Sequence, residues 1–176
     1  DVPFFRLQGG TTTLSSDVKI GNRMEVNQGA LLDVLGTVNI QQDGTFSMLG
    51  GTMRGSGGIN IQGVLNWQGG LISGIGLVNV TGDVIINSTN GATMQASGRQ
   101  FLVQKACNWT SGNIEFSDGA LMQVAVGGVL RILGGGSFLS PGTFSQQAQL
   151  ITYGSLVKEG SAADTNIYAR WLNYGA

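Results

Sequence analysis

The sequence predicts an all-β chain wound as a single-chain parallel β-helix, with three short strands in each coil of about 19–23 residues and a non-repeat β segment at its C-terminus. Three observations carry this expectation. One three-part word recurs along the chain, apolar residues alternate with period two inside each part, and Gly, Asn, Asp and Ser clusters separate the parts. Between residues 14 and 142 no window offers apolar residues at helical spacing over ten or more residues free of glycine.

The word shows when VNIQQDGTFSMLGGTMRGSGG (38–58) is laid over INIQGVLNWQGGLISGIGL (59–77): VNI falls on INI, FSM on LNW, and GG on GG. VNVTGDVIINSTNGATMQASGR (78–99), QFLVQKACNWTSGNIEFSDGAL (100–121) and MQVAVGGVLRILGGGSFLSPG (122–142) repeat it with small changes in length. Three apolar columns follow. The first is Ile40, Ile61, Val80, Leu102 and Val124; the second Val34, Met48, Trp67, Ile86, Trp109 and Ile132; the third Met53, Ile72, Met94, Phe116 and Phe138. All are expected to point into the shaft, with glycines at the corners. Alternation places Trp67 with Leu65, and Trp109 with Cys107, on the inner side, leaving Asn66 and Asn108 outside. Six or seven coils at about 4.8 Å each make a rod of roughly 30 Å. An antiparallel sandwich or jelly roll also has many short strands, but it does not usually hold one word in register.

The words LNWQGGLISGIG and CNWTSGNIEFSDG resemble the glycine-rich repeats of large secreted β-solenoid proteins, the adhesin-like and passenger-type right-handed β-helices of microbial cell surfaces. The resemblance covers about residues 14–142 and implies an extracellular, structural or adhesive role.

The division expected is a solenoid over 1–142, entered through residues 1–13, followed by a C-terminal segment over 143–176. That segment loses the glycine rhythm and gathers Tyr153, Tyr168, Trp171 and Tyr174, forming a small antiparallel cap or a terminal coil. A solenoid leaves an open strand edge and an open core at each end, and no amphipathic helix is at hand to cover either. Head-to-tail stacking into a fibre is therefore expected, with Phe4, Phe5, Tyr153, Tyr168, Trp171 and Tyr174 as the assembly interface. The competing arrangement folds the tail over its own last coil.

Composition narrows the chemistry. A formal net charge of −1 and a pI near 5.2 offer no basic face for nucleic acid, and every apolar run is broken too soon to span a bilayer. The single cysteine, Cys107, reads as a small buried apolar side chain. With no histidine, a Ser/His/Asp or Cys/His arrangement is excluded, and no metal or cofactor is expected. Asp33, Asp43, Asp83, Glu115 and Asp118 fall at no repeated position, and Glu115 and Asp118 with Arg99 or Lys105 nearby read as solvated surface, so the chain is expected not to be an enzyme. Thr11, Thr12 and Thr13 form one patch where an ice-binding array would need one on every coil.

Asn39, Asn60 and Asn79 share the middle of VNI, INI and VNV, which predicts an outward amide ladder that breaks at FLV (101–103). Stabilisation along the shaft and a stripe for surface glycans are both open to such a ladder. A carbohydrate-binding or polysaccharide-processing β-helix is accordingly the alternative to a structural subunit. Three sequons, at Asn79, Asn87 and Asn108, and an opening DVPFF in place of Met lead to the expectation of a processed, secreted chain.

Overall fold

The computed structural model describes residues 1–88, 91–141, 147–160 and 164–175, and among these it has 21 strands and no helix. Every strand pairing is parallel, so the chain winds continuously instead of turning back on itself. The strands, numbered along the chain, stand in three columns. The second column begins with β1 (Val2–Leu7) and the third with β2 (Gly10–Leu14), and β3 (Val18–Val26) runs from the first column into the second. The third column continues with β4 (Ala30–Val34) and the first with β5 (Val38–Ile40). Two long strands, β6 (Thr45–Arg54) and β8 (Val64–Ser73), bend from the second column into the third, with β7 (Ile59–Ile61) between them in the first.

Each later coil uses three separate strands. They are β9 (Leu77–Val80), β10 (Asp83–Asn87) and β11 (Met94–Ser97); β12 (Gln100–Val103), β13 (Ala106–Ser111) and β14 (Ile114–Ser117); then β15 (Leu121–Val124), β16 (Val129–Ile132) and β17 (Gly136–Leu139). β18 (Gln149–Thr152), β19 (Ser155–Lys158), β20 (Thr165–Ile167) and β21 (Arg170–Asn173) follow. The chain is thus a β-solenoid of about eight turns, one or two more than the repeats alone suggested. At about 4.8 Å per coil the shaft is roughly 38 Å long.

The extra coils come from the two ends. β18 to β21 pair in register with β15, β16, β17 and β18, so the C-terminal segment takes the form of terminal coils. The 142/143 boundary lies outside the described residues. At the other end β1 and β2 already pair with β3 and β4, so residues 1–13 form a coil in their own right.

Alternation sets the faces. Val38 and Ile40, Ile59 and Ile61, and Val78 and Val80 are buried, while Asn39, Asn60 and Asn79 between them face outward. Where apolar residues run consecutively the phase is ambiguous, and there the structure corrects three assignments. Val103 continues the ladder from Val80 to Val124, and Leu102 lies outside between Asn79 and Gln123, because a slip of one residue reverses the face. Val34 pairs with Leu14 in the third column; the second-column partner of Met48 is Val26. In the third column Ile72 meets Ala96 and then Phe116, whereas Met94 and Phe138 both pair with Ile114. That shift is of two residues, so Met94 and Phe138 remain buried.

Glycine is a steric requirement at the corner from first to second column. A Cβ on Gly82 would stand 1.7 Å from the carbonyl oxygen of Gly63, and one on Gly63 would stand 1.9 Å from that of Gly44. Backbone cannot yield as a flexible side chain does, so Gly82→Ala should destabilise the fold by about 2 kcal/mol or more in urea unfolding. Gly119, with open space around its Cα and φ of +72°, pays for alanine by backbone strain instead, of order 1 kcal/mol.

Candidate functional site

The two ends expose what the middle of the shaft buries. In the first coil Val2, Phe5, Leu7 and Leu14 pack against the core and remain part-exposed, their strands paired on one side only among the described residues. Phe4 alternates to the outer face, 45 % exposed, with the Arg6 guanidinium 5.0 Å from its ring centre. Arg6 and Arg23 both pair with Glu25, whose carboxylate is buried beneath them and ties the first coil to the second.

In the last coil Leu156, Ile167 and Ala169 cover the core, and Trp171 continues the inner line from Met122 and Leu150. The Trp171 indole N–H donates to Thr152 Oγ1 at 3.3 Å, and that hydroxyl donates to Asn173 Oδ1 at 2.7 Å. Asn173 and Lys158 therefore hold inner positions with polar side chains; the Lys158 ammonium turns aside to donate to the Gly134 carbonyl at 2.8 Å. Tyr168 stands exposed on the turn between β20 and β21. Tyr153 and Tyr174 are not at the core end at all: they stack on one corner, ring centres 5.2 Å apart and 15° from parallel.

Trp67 and Trp109 lie inside. Trp67 stacks on Phe101 at 5.3 Å, Phe101 meets Phe116 at 5.5 Å, and Phe116 meets Phe138 at 5.0 Å, so side chains from all three columns join in one aromatic line. The Trp109 N–H donates to the Gly112 carbonyl at 2.9 Å; the Trp67 N–H is buried with no acceptor among the described residues. Of the outer amides, Asn60 donates to Asn39 at 3.0 Å, and Asn79 accepts from Gln104 at 2.8 Å. Among the sequon asparagines Asn87 is exposed, while Asn79 and Asn108 are half-buried on outer faces; Thr89 of the Asn87 sequon lies outside the described residues.

The charged residues near the later coils do not converge. Glu115 accepts from Gln95 at 3.3 Å, Asp118 accepts from Ser97 and Ser117, and Lys105 pairs with Asp83 at 3.6 Å. Among the described residues no three His, Cys, Asp or Glu side chains group to hold a metal ion, and no helix is long and apolar enough to cross a membrane.

Arg99, read from sequence as a surface cation, is fully buried. Its Nε donates to the Ser73 carbonyl at 3.0 Å, and its two terminal nitrogens donate to the carbonyls of Gly57 at 2.7 Å and Gly55 at 3.0 Å. Burial lowers its pKa, but an arginine starts high enough to stay charged. Cys107 is buried too, and desolvation pushes its thiol up to about 12. The native protein should resist a thiol reagent at pH 8 that labels the urea-unfolded chain within minutes; equal rates would place the thiol at the surface.

A recess of about 570 Å³ interrupts the shaft, lined by Gln42, Asp43, Gln62, Gly63, Val64, Thr81, Gly82, Asp83 and Lys105. It arises from turn lengths along the corner between first and second columns. Residues 41–44 and 125–128 make four-residue turns, while 62–63, 81–82 and 104–105 make two-residue turns, so the short turns are set back between the long ones. Apart from the aspartates and Lys105, none of these residues stood out in the sequence. The signal was nevertheless present in the succession QQDG, QG, TG, QK, AVGG.

No protein-family model, no curated protein and no solved structure matches this chain. The class that the geometry defines is the β-solenoid repeat fold.

Proposed function

We propose that this chain is an extracellular structural protein, a β-solenoid subunit that self-associates end to end into a fibre, matrix or surface appendage. The observation that carries the reading is that, among the described residues, β1 and β2 at one end and β19, β20 and β21 at the other pair on one side only. Unpaired parallel strands with part-exposed apolar residues invite another strand, and a second copy supplies one in the same geometry. Each column holds eight strands, so a copy set on the last coil continues all three columns without a change of face. In that arrangement Leu156 meets Phe5 of the next copy, following the inner line of the second column. Lys158 and Asn173 make the seat partly polar, so association is expected to be reversible and dependent on concentration. A surface dominated by uncharged polar residues, with the three sequons, supports a place outside the cell.

Sedimentation velocity over a concentration series tests this. Wild type should sediment faster as concentration rises, Phe5→Lys should remain monomeric, and Lys158→Leu should associate at lower concentration. A monomer throughout, or association indifferent to both substitutions, would assign the edges to some other cover. Circular dichroism of each variant separates lost association from lost folding.

A further inference from the structure

We infer that the recessed corner between the first and second columns is a binding track for a carbohydrate chain. Its chemistry decides against other ligands first. Val64 is the one apolar side chain in the lining, so an apolar ligand would find little to bury there. Asp43 and Asp83 against Lys105 leave one net negative charge, which disfavours phosphate and other anions. Two carboxylates fall short of the oxygen cage a calcium ion takes.

What remains is a dense set of donors and acceptors on a bare floor. Gln42 and Gln62 each bring an amide that both donates and accepts, Thr81 a hydroxyl, and Asp43 a carboxylate with no ion-pair partner among the described residues. The floor at Gly63 and Gly82 cannot carry side chains, because the preceding coil's carbonyls stand too close, so backbone stays open to a ligand. Polyhydroxylated rings match such a lining, since each hydroxyl donates and accepts at once. The paired amides Asn39–Asn60 and Asn79–Gln104 extend the same chemistry onto the neighbouring face.

A second observation on the same corner points the same way. Two and three coils beyond Lys105, about 10 and 14 Å along the shaft, the stacked Tyr153 and Tyr174 are 41 % and 62 % exposed. They offer a flat apolar face with a polar rim, the surface on which the C–H face of a sugar ring stacks. The recess and the tyrosines form two subsites of one track, separated by the turn 125–128.

Isothermal titration with soluble hexasaccharides of glucose, N-acetylglucosamine, mannose and galactose, and with the matching disaccharides, tests the track. At least one hexasaccharide should bind the wild-type chain. Asp43→Asn and Gln62→Ala, both at exposed positions, should each weaken it about tenfold, the worth of one good hydrogen bond. Tyr174→Ala should weaken the hexasaccharide and leave its disaccharide unchanged, because only the longer ligand reaches both subsites. Glu115→Gln, on a different face, should change nothing. Binding of no sugar at millimolar concentration, or binding that ignores Asp43 and Gln62, would overturn the inference. Asp43 and Gln62 lie on the side of the shaft, so their results do not depend on whether the ends associate; Tyr174 follows the last strand, and its variant is compared at concentrations where the wild type is monomeric.

Discussion

Replacing Arg99 with alanine is expected to cost the fold about 3–5 kcal/mol, as large a loss as any single side chain here can cause. The position belongs to a line of small residues, with Gly76 before it and Ala120, Ala148 and Ala169 after it. Only in this coil is the residue long, and it is accommodated because the preceding corners, RGSGG and SGIG, are built from glycine. The guanidinium reaches back under two earlier coils and satisfies carbonyls of Gly55, Gly57 and Ser73 that have turned inward at those corners. Removing it leaves all three without their donor and opens a void. Arg99→Met distinguishes the two effects: it refills most of the volume, so a loss nearly as large as for alanine would assign the cost to the hydrogen bonds. Arg99→Lys should fall between, since an ammonium keeps the charge but cannot span three carbonyls. Urea unfolding of the three variants reads the order directly, and an unfolding midpoint unchanged in Arg99→Ala would contradict the assignment.

Trp67→Ala should lose a comparable about 3–5 kcal/mol, here through lost burial and an unfilled cavity. Its ring is 2 % exposed and stacks on Phe101, itself in contact with Phe116, so truncation removes the first member of the aromatic line. The conservative substitution carries the sharper test. Trp67 buries an N–H that has no acceptor among the described residues, whereas the N–H of Trp109 donates to the Gly112 carbonyl. Phenylalanine relieves an unpaired donor at the first site and strands a carbonyl at the second. Trp67→Phe should therefore cost less than Trp109→Phe by about 1 kcal/mol. Equal costs would mean that the Trp67 N–H has found a partner, and a near-neutral Trp67→Ala would mean that the ring faces solvent.

The architecture was legible in the sequence because a solenoid is periodic at two scales. The word VNI…FSM…GG repeats once per coil, and within each part inward and outward residues alternate; together these give the three columns and the parallel stacking. Register within a coil was harder to read where alternation lapses. In QFLVQ three apolar residues follow one another, and only pairing with VNV and MQV shows that Phe101 and Val103 go inside. The tail strands β18, β19 and β21 hid their membership because Thr152, Lys158 and Asn173 occupy inner positions that are apolar in earlier coils. Arg99 was misread for a related reason: charge suggested the surface, while the space that admits it is set by glycines far away in sequence. The recess belongs to no motif, since it is made by the relative lengths of turns on successive coils.

Electron microscopy of the purified chain across a concentration series is the direct test of end-to-end association. Rods should lengthen with concentration into fibres of uniform width, with an axial repeat of one eight-coil shaft, roughly 38 Å. Monodisperse single rods at every concentration would contradict it.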